Sequence, residues 1–329
     1  MDTIVDSVVA EIDRQTDMPK HRLDLGSKQL TLVPDKLWLL NHLRELILTR
    51  NQLNNLPPAV SGLSSLKALD LSHNLLTSLP MEVGELAELE ALHLGGNQLR
   101  LVPMCVGQLS ALRMLNLSKN QISCLPGEIG ELRKCERLYI DCNRLRVLPH
   151  QIGRMTSLKR LYAGNNQLVV IPAEIGHLAA LVELDLSNNC IVRMPTQLGN
   201  LELEVLRMNG NSCMFPTGDI VMEGTKATLA FLGQEQHLQD GDLLRQMDGA
   251  ETITTTMTVL SQRDLNKLVS RCKDLTLDLS SSGVANSPIE PYLPSNLSDL
   301  RHLQQVKLRF FLSRFSAAAY VFRVFRAQG

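Results

Sequence analysis

Proline recurs at Pro34, Pro57, Pro80, Pro103, Pro126, Pro149, Pro172 and Pro195, always 23 residues apart. Asparagine keeps the same step at Asn51, Asn74, Asn97, Asn120, Asn143, Asn166 and Asn189, with a last copy, Asn211, one residue early. Glycine follows it at Gly84, Gly107, Gly130, Gly153, Gly176 and Gly199. Leucine locks the pattern together at Leu46, Leu69, Leu92, Leu115, Leu138, Leu161 and Leu184. Composition bias does not produce one shared period over eight turns. A unit this short cannot bury its own apolar side, so neighbours must stack into an array.

Each unit reads LxxLxLxxNxLxxLPxxIGxLxx. In the LxL core, residues two apart share one side, as a strand requires. Leu69 and Leu71 therefore face inward, and Asp70 and Ser72 outward. The asparagine follows where the chain leaves the strand, and its amide has both a donor and an acceptor for backbone groups exposed by that turn. Proline, with fixed φ and no N–H, suits the start of the return segment. The columns Leu63, Leu86, Leu109, Leu132 and Leu66, Leu89, Leu112, Leu158 pack that segment onto the strand.

These residues resemble the leucine-rich-repeat superfamily, and within it the intracellular 23-residue class of plant Ras-group-related proteins, the Ras suppressor protein and Scribble-type scaffolds. The resemblance covers roughly Leu23 to Asn211. It implies an α/β solenoid, a horseshoe with parallel strands on the concave face and short helical turns on the convex face. It also implies a protein partner, with a small GTPase or a phosphatase complex as the family analogy. Lys28 stands where the first asparagine belongs, Ala163 and Cys135 replace leucines, and Trp38 and Ser61 occupy the glycine column, as in an adapted start of the stack.

A solenoid needs polar-faced caps. Ile4, Val5, Val8, Val9 and Ile12 fall at helical spacing, so residues 1–22 are expected to form an N-terminal capping helix. Residues 23–213 hold eight full repeats and a partial one. Residues 214–234 resemble the closing segment of the family. Within them GDIVMEGTK does not match GxxxxGK[ST] in spacing or order, which excludes a phosphate loop. The polar, glycine-interrupted stretch 235–262 reads as a linker. Residues 263–329 read as a degenerate, repeat-like region with two units about 29 residues apart, around Leu277, Leu279 and Val284, then Leu300, Leu303, Val306 and Leu308. Their tail is basic and aromatic. The tail reads first as an unfinished or partner-covered repeat edge and second as a membrane-surface helix, and Lys307–Phe310 within it resembles a short phosphatase-1 docking motif.

The formal net charge of -1 gives no reason to expect nucleic acid or an anionic membrane as the main partner. The seven cysteines are scattered without a CxxC pair, which fits free thiols in a reducing compartment better than a disulfide framework or a zinc site. No apolar run marks a signal peptide or a membrane span. A cytoplasmic setting is the expectation.

The outward strand positions form two columns. One reads Asp24, Ile47, Asp70, His93, Asn116, Tyr139, Tyr162, Asp185, Arg207; the other reads Arg22, Glu45, Ala68, Ala91, Met114, Arg137, Arg160, Glu183, Val205. Arg137, Tyr139, Arg160 and Tyr162 thus make a two-by-two block of the residue types enriched at interface hot spots. Asp70, Asp141, Glu183 and Asp185 flank it, favouring a partner patch of mixed charge, and His93 and Asn116 extend it. The other reading is that aromatic and charged strand pairs merely stabilise the ladder.

Catalysis would need a nucleophile beside a base, paired carboxylates or a metal cluster. His73 and His93 lack a third ligand at suitable spacing, Asp70 and Asp185 lie five repeats apart, and the cysteines have no evident His partner. Neither an enzyme nor a cofactor is expected. Asn116–Ser118 and Asn296–Ser298 match glycosylation sequons, which a cytosolic chain would not use. Three functions remain open: a signalling scaffold or adaptor, a structural subunit of a cytoskeletal or ciliary assembly, and the recognition half of a longer enzyme.

Overall fold

In the computed structural model, residues 2–248 are described, with side chains from Ser7 to Leu238. Each LxL core is a three-residue strand: β1 (Arg22–Asp24), β2 (Glu45–Ile47), β3 (Ala68–Asp70), β4 (Ala91–His93), β5 (Met114–Asn116), β6 (Arg137–Tyr139), β7 (Arg160–Tyr162), β8 (Glu183–Asp185) and β9 (Val205–Arg207). They lie in sequence order in one open parallel sheet. The register is the sequence period itself: Leu46 pairs with Leu69 and Leu138 with Leu161. The step shortens by one only at Leu184 with Leu206. The missing residue ahead of Asn211 is absorbed there. The fold is an α/β leucine-rich-repeat solenoid.

The middle leucine of β2 through β8 is fully buried, as is its partner two residues on, for example Leu69 with Leu71. The return segments are five-residue 3-10 helices, such as Gly127–Glu131 and His150–Arg154, each opened by the periodic proline. A 23-residue unit leaves about one such turn to climb back, and the 3-10 form covers it with about 2.0 Å of rise per residue. Between strand and return, a residue in left-handed conformation turns the chain; Arg50, His73, Lys119, Cys142, Asn165 and Asn188 occupy this column with φ of 52–55°.

The glycine column answers to crowding. A Cβ on Gly107, Gly130 or Gly153 would sit 2.3–2.4 Å from the carbonyl oxygen of Glu128, Gln151 or Glu174 in the next return turn. That oxygen belongs to backbone and cannot swing aside. Gly153→Ala is therefore expected to cost about 1–3 kcal/mol through overpacking. The effect would appear as a lower urea midpoint, and an unchanged midpoint would contradict this spacing.

Helix α1 (Asp2–Asp17) covers the first repeat with Val8 and Ile12, both 1% exposed. Buried Gln15 accepts a hydrogen bond from the Lys20 backbone, and Lys36 pairs with Asp13 at 2.9 Å. Val9, expected on the packed face with Val8, is only half-buried. At the other end come α2 (Gly218–Met222) and α3 (Thr225–Asp248). Buried Leu229 and Leu232 carry α3 onto the last return turn, Thr196–Asn200, where Gly199 meets Gly233. Leu206 N–H donates to Thr225 Oγ1 at 3.0 Å, so the cap also satisfies the exposed sheet edge.

One boundary differs from expectation. The stretch from residue 235, read as the beginning of a linker, is helical as far as Asp248. Once packing fixes the start of α3, each further residue adds a hydrogen bond. Gln, Leu and Arg all favour that, and one glycine opposes it by only about 1 kcal/mol. No helix among the described residues is long and apolar enough to cross a membrane. The rest of the expected linker, the degenerate repeats, the basic aromatic tail with Lys307–Phe310, Cys272 and the sequon at Asn296 lie outside the described residues.

Candidate protein-binding face

The two outward columns are in register across the sheet, with Arg137 opposite Arg160 and Tyr139 opposite Tyr162. Because parallel neighbours are only about 4.8 Å apart, the tyrosine rings stack with centroids at 4.9 Å and planes 2° from parallel. Both hold large apolar area in one fixed geometry, with little side-chain freedom left to lose on binding.

Tyr162 donates its hydroxyl to Glu183 Oε2 at 2.7 Å. Glu183 also receives Arg207 Nη1 at 2.6 Å and stands 3.7 Å from Arg160. The hydrogen bond from Tyr162, helped by Arg207, holds the Glu183 carboxyl below its ordinary range. Burial pushes the Tyr162 hydroxyl up to about 12, and acceptance by Glu183 adds to the rise. Asp185 accepts from the Ser187 backbone at 2.9 Å and from its hydroxyl at 2.6 Å, with Arg207 at 3.8 Å. Glu183 and Asp185 are therefore engaged within the protein rather than offered as free acids. The mixed-charge flank expected from the sequence is internally neutralised on this side. Arg207, absent from the expected site, is the residue that does it; its column position next to Asp185 was the available signal.

The remaining residues divide. Asn116 borders Tyr139 directly, and its Oδ1 accepts from Ser118 N–H at 3.0 Å and Oγ–H at 2.7 Å. Asp141 lies beyond the end of β6, half-buried; burial raises its pKa, against hydrogen bonds from its own backbone and from the Cys142 thiol. His93 is two strands from Tyr139, and Asp70, held by Ser72, is three strands away and outside the block. The structure thus gathers Arg137, Tyr139, Arg160, Tyr162, Glu183 and Asp185, and leaves Asp70 apart.

On the flank preceding the strands, charges alternate down another column: Lys67–Glu90 at 3.0 Å, Glu90–Arg113 at 3.9 Å, Arg113–Glu136 at 3.1 Å and Glu136–Lys159 at 2.9 Å. A hollow of about 330 Å³ opens beside Arg113, Lys134, Glu136 and Lys159, where Glu136 already answers Arg113 and Lys159. Among the described residues no group of three His, Cys, Asp or Glu could hold a metal ion. Cys105, Cys124, Cys135, Cys142, Cys190 and Cys213 are free thiols. Burial pushes Cys135 up to about 12, far from a reactive thiolate.

A stacked array with an exposed strand ladder defines a protein-recognition solenoid. The chain belongs to the leucine-rich-repeat family: the profile of the leucine-rich repeat region matches residues 100–311, and that of the leucine rich repeat matches residues 41–99. Leucine-rich-repeat domains generally mediate protein–protein interaction and are typically non-enzymatic. No curated protein gives a significant match. Among solved structures, a leucine-rich-repeat protein of Leptospira interrogans is 32% identical at a TM-score of 0.51, over 61% of this chain and 57% of its own. The ectodomain of the plant membrane receptor kinase GASSHO1/SCHENGEN3 from Arabidopsis thaliana, in complex with CASPARIAN STRIP INTEGRITY FACTOR 2, is 36% identical at 0.54, over 58% of this chain and 24% of its own. The plant peptide hormone receptor RGFR1, in complex with RGF2, is 29% identical at 0.51, over 55% and 30%. The chain thus spans less than two thirds of the length of each of these proteins.

Proposed function

We propose that this chain is a cytoplasmic scaffold or adaptor that holds a folded protein against its strand face in intracellular signalling. Residues 23–213 are the binding array, closed by residues 1–22 and 214–234, and the partner class that family resemblance suggests is a small GTPase or a phosphatase complex. The observation that carries the reading is the stacked, half-buried Tyr139–Tyr162 pair beside the exposed Arg137 and Arg160 on adjacent strands. Two of the similar structures are complexes, which supports a protein ligand here. The six cysteines among the described residues, all free, support a reducing compartment. Assembly into a cytoskeletal or ciliary complex is the second reading.

The test is a double variant. Replacing Tyr139 and Tyr162 with alanine is expected to weaken the partner complex at least tenfold, because hot-spot truncations typically cost about 2 kcal/mol or more. Unchanged affinity in a still-folded double variant rules the face out. A transient, nucleotide-dependent complex marks signalling, and a stoichiometric, salt-resistant one marks a structural subunit.

A further inference from the structure

Resting on that reading of the strand face, we infer that the surface it takes is acidic: a protein segment rich in aspartate and glutamate whose carboxylates seat on Arg137 and Arg160 beside the tyrosine stack. Arg137 and Arg160 are register partners, both exposed, so two guanidinium groups stand side by side on adjacent strands. Like charges placed opposite each other in a sheet repel. Arg160 has a partial answer in Glu183 at 3.7 Å, but that carboxylate is already taken by Tyr162 and Arg207. Arg137 has no ion pair among the described residues, whereas Lys67, Arg113 and Lys159 on the neighbouring flank are each matched to a carboxylate.

The surroundings leave Arg137 open. Away from Arg160 its column continues through Met114, Ala91 and Ala68, which carry no charge. Of the nearby acids, Glu183 is committed to Tyr162 and Arg207, Asp185 to Ser187 and Arg207, and half-buried Asp141, beyond the end of β6, to its own backbone and the Cys142 thiol. The Tyr139 hydroxyl, unlike that of Tyr162, has no protein acceptor or donor among the described residues, so it is free to donate to the same incoming carboxylate. A guanidinium fork receives a carboxylate through two parallel hydrogen bonds, which fixes direction as well as charge. The closed half of the block, Tyr162–Glu183–Arg207–Asp185, positions the stack, and the open half meets the partner.

The test uses the full chain and a fluorescein-labelled octaglutamate peptide in fluorescence anisotropy, with octalysine and octaglutamine peptides as comparisons. Octaglutamate should bind saturably, and its affinity should fall with added NaCl, as for exposed charges. Arg137→Glu should weaken it tenfold or more, and Arg137→Lys should recover only part. Arg146→Glu, the same charge change at an exposed turn residue, should stay within twofold of the parent chain. Absence of saturable octaglutamate binding, equal binding of octaglutamine, or equal losses in the Arg137 and Arg146 variants would overturn the inference. A native complex weakened by the tyrosine substitutions but untouched by Arg137→Glu would sink it and leave the strand-face reading standing. Loss from neither would sink both.

Discussion

Asn143→Ala is expected to destabilise the array by about 3–5 kcal/mol, although the side chain is small and sits in a turn. Asn143 Nδ2 donates to Leu117 O at 2.9 Å and Ile140 O at 3.1 Å, and its Oδ1 accepts from Ile122 N–H at 3.0 Å, all buried. One amide therefore ties two successive repeats. The two carbonyls each keep a second asparagine donor, from Asn120 and Asn166. The Ile122 N–H has no such reserve. Leaving a buried donor empty costs about 1–3 kcal/mol by itself, and the lost bonds add to it. The preceding residue, Cys142, is held at φ 54°, a conformation that costs a non-glycine residue about 1–2 kcal/mol and that the asparagine clamp maintains. Asn211→Ala at the partly buried end of the ladder should cost less, because no further strand repeat among the described residues leans on it. The two urea midpoints decide. A loss under about 1 kcal/mol at Asn143 would mean that the ladder follows from the stacking and does not hold it.

The asparagine column also marks what was legible in advance. Period, strand position and inward leucines were readable because each repeat is a local pattern copied in register, so the pairing of Tyr139 with Tyr162 follows from subtraction alone. The role of the glycines was not, since the clash at Gly153 is with a backbone oxygen of the next repeat, 21 residues away. The engagement of Glu183 was missed for the same reason: a column shows which side chains are neighbours but not which rotamers they choose, and Tyr162 and Arg207 converge on it from opposite sides. The helical continuation past residue 235 depends on the docking of Leu229 and Leu232 upstream, a tertiary cause that polar composition does not reveal.

Leu138→Ala should cost about 2–5 kcal/mol, the usual range for a truncated buried leucine. Leu138 is fully buried at the centre of β6, while Tyr139, its neighbour in sequence, is on the opposite side of the same strand. Tyr139→Ala should therefore cost well under half as much, since it loses a ring stack worth about 0.5–1.5 kcal/mol but opens no cavity. This contrast between consecutive residues tests the facing more sharply than either value alone. It also tests the kind of cooperativity. Repeats contact only their neighbours, so stability is a sum of unit and interface contributions. A cavity at β6 weakens the joins to both β5 and β7, in the middle of nine strands. Unfolding of Leu138→Ala should then broaden, with a lower urea slope, as the flanking halves begin to melt separately. A variant that keeps both the midpoint and the slope of the parent chain would require Leu138 to lie outside the core, and with it the whole inward column of leucines.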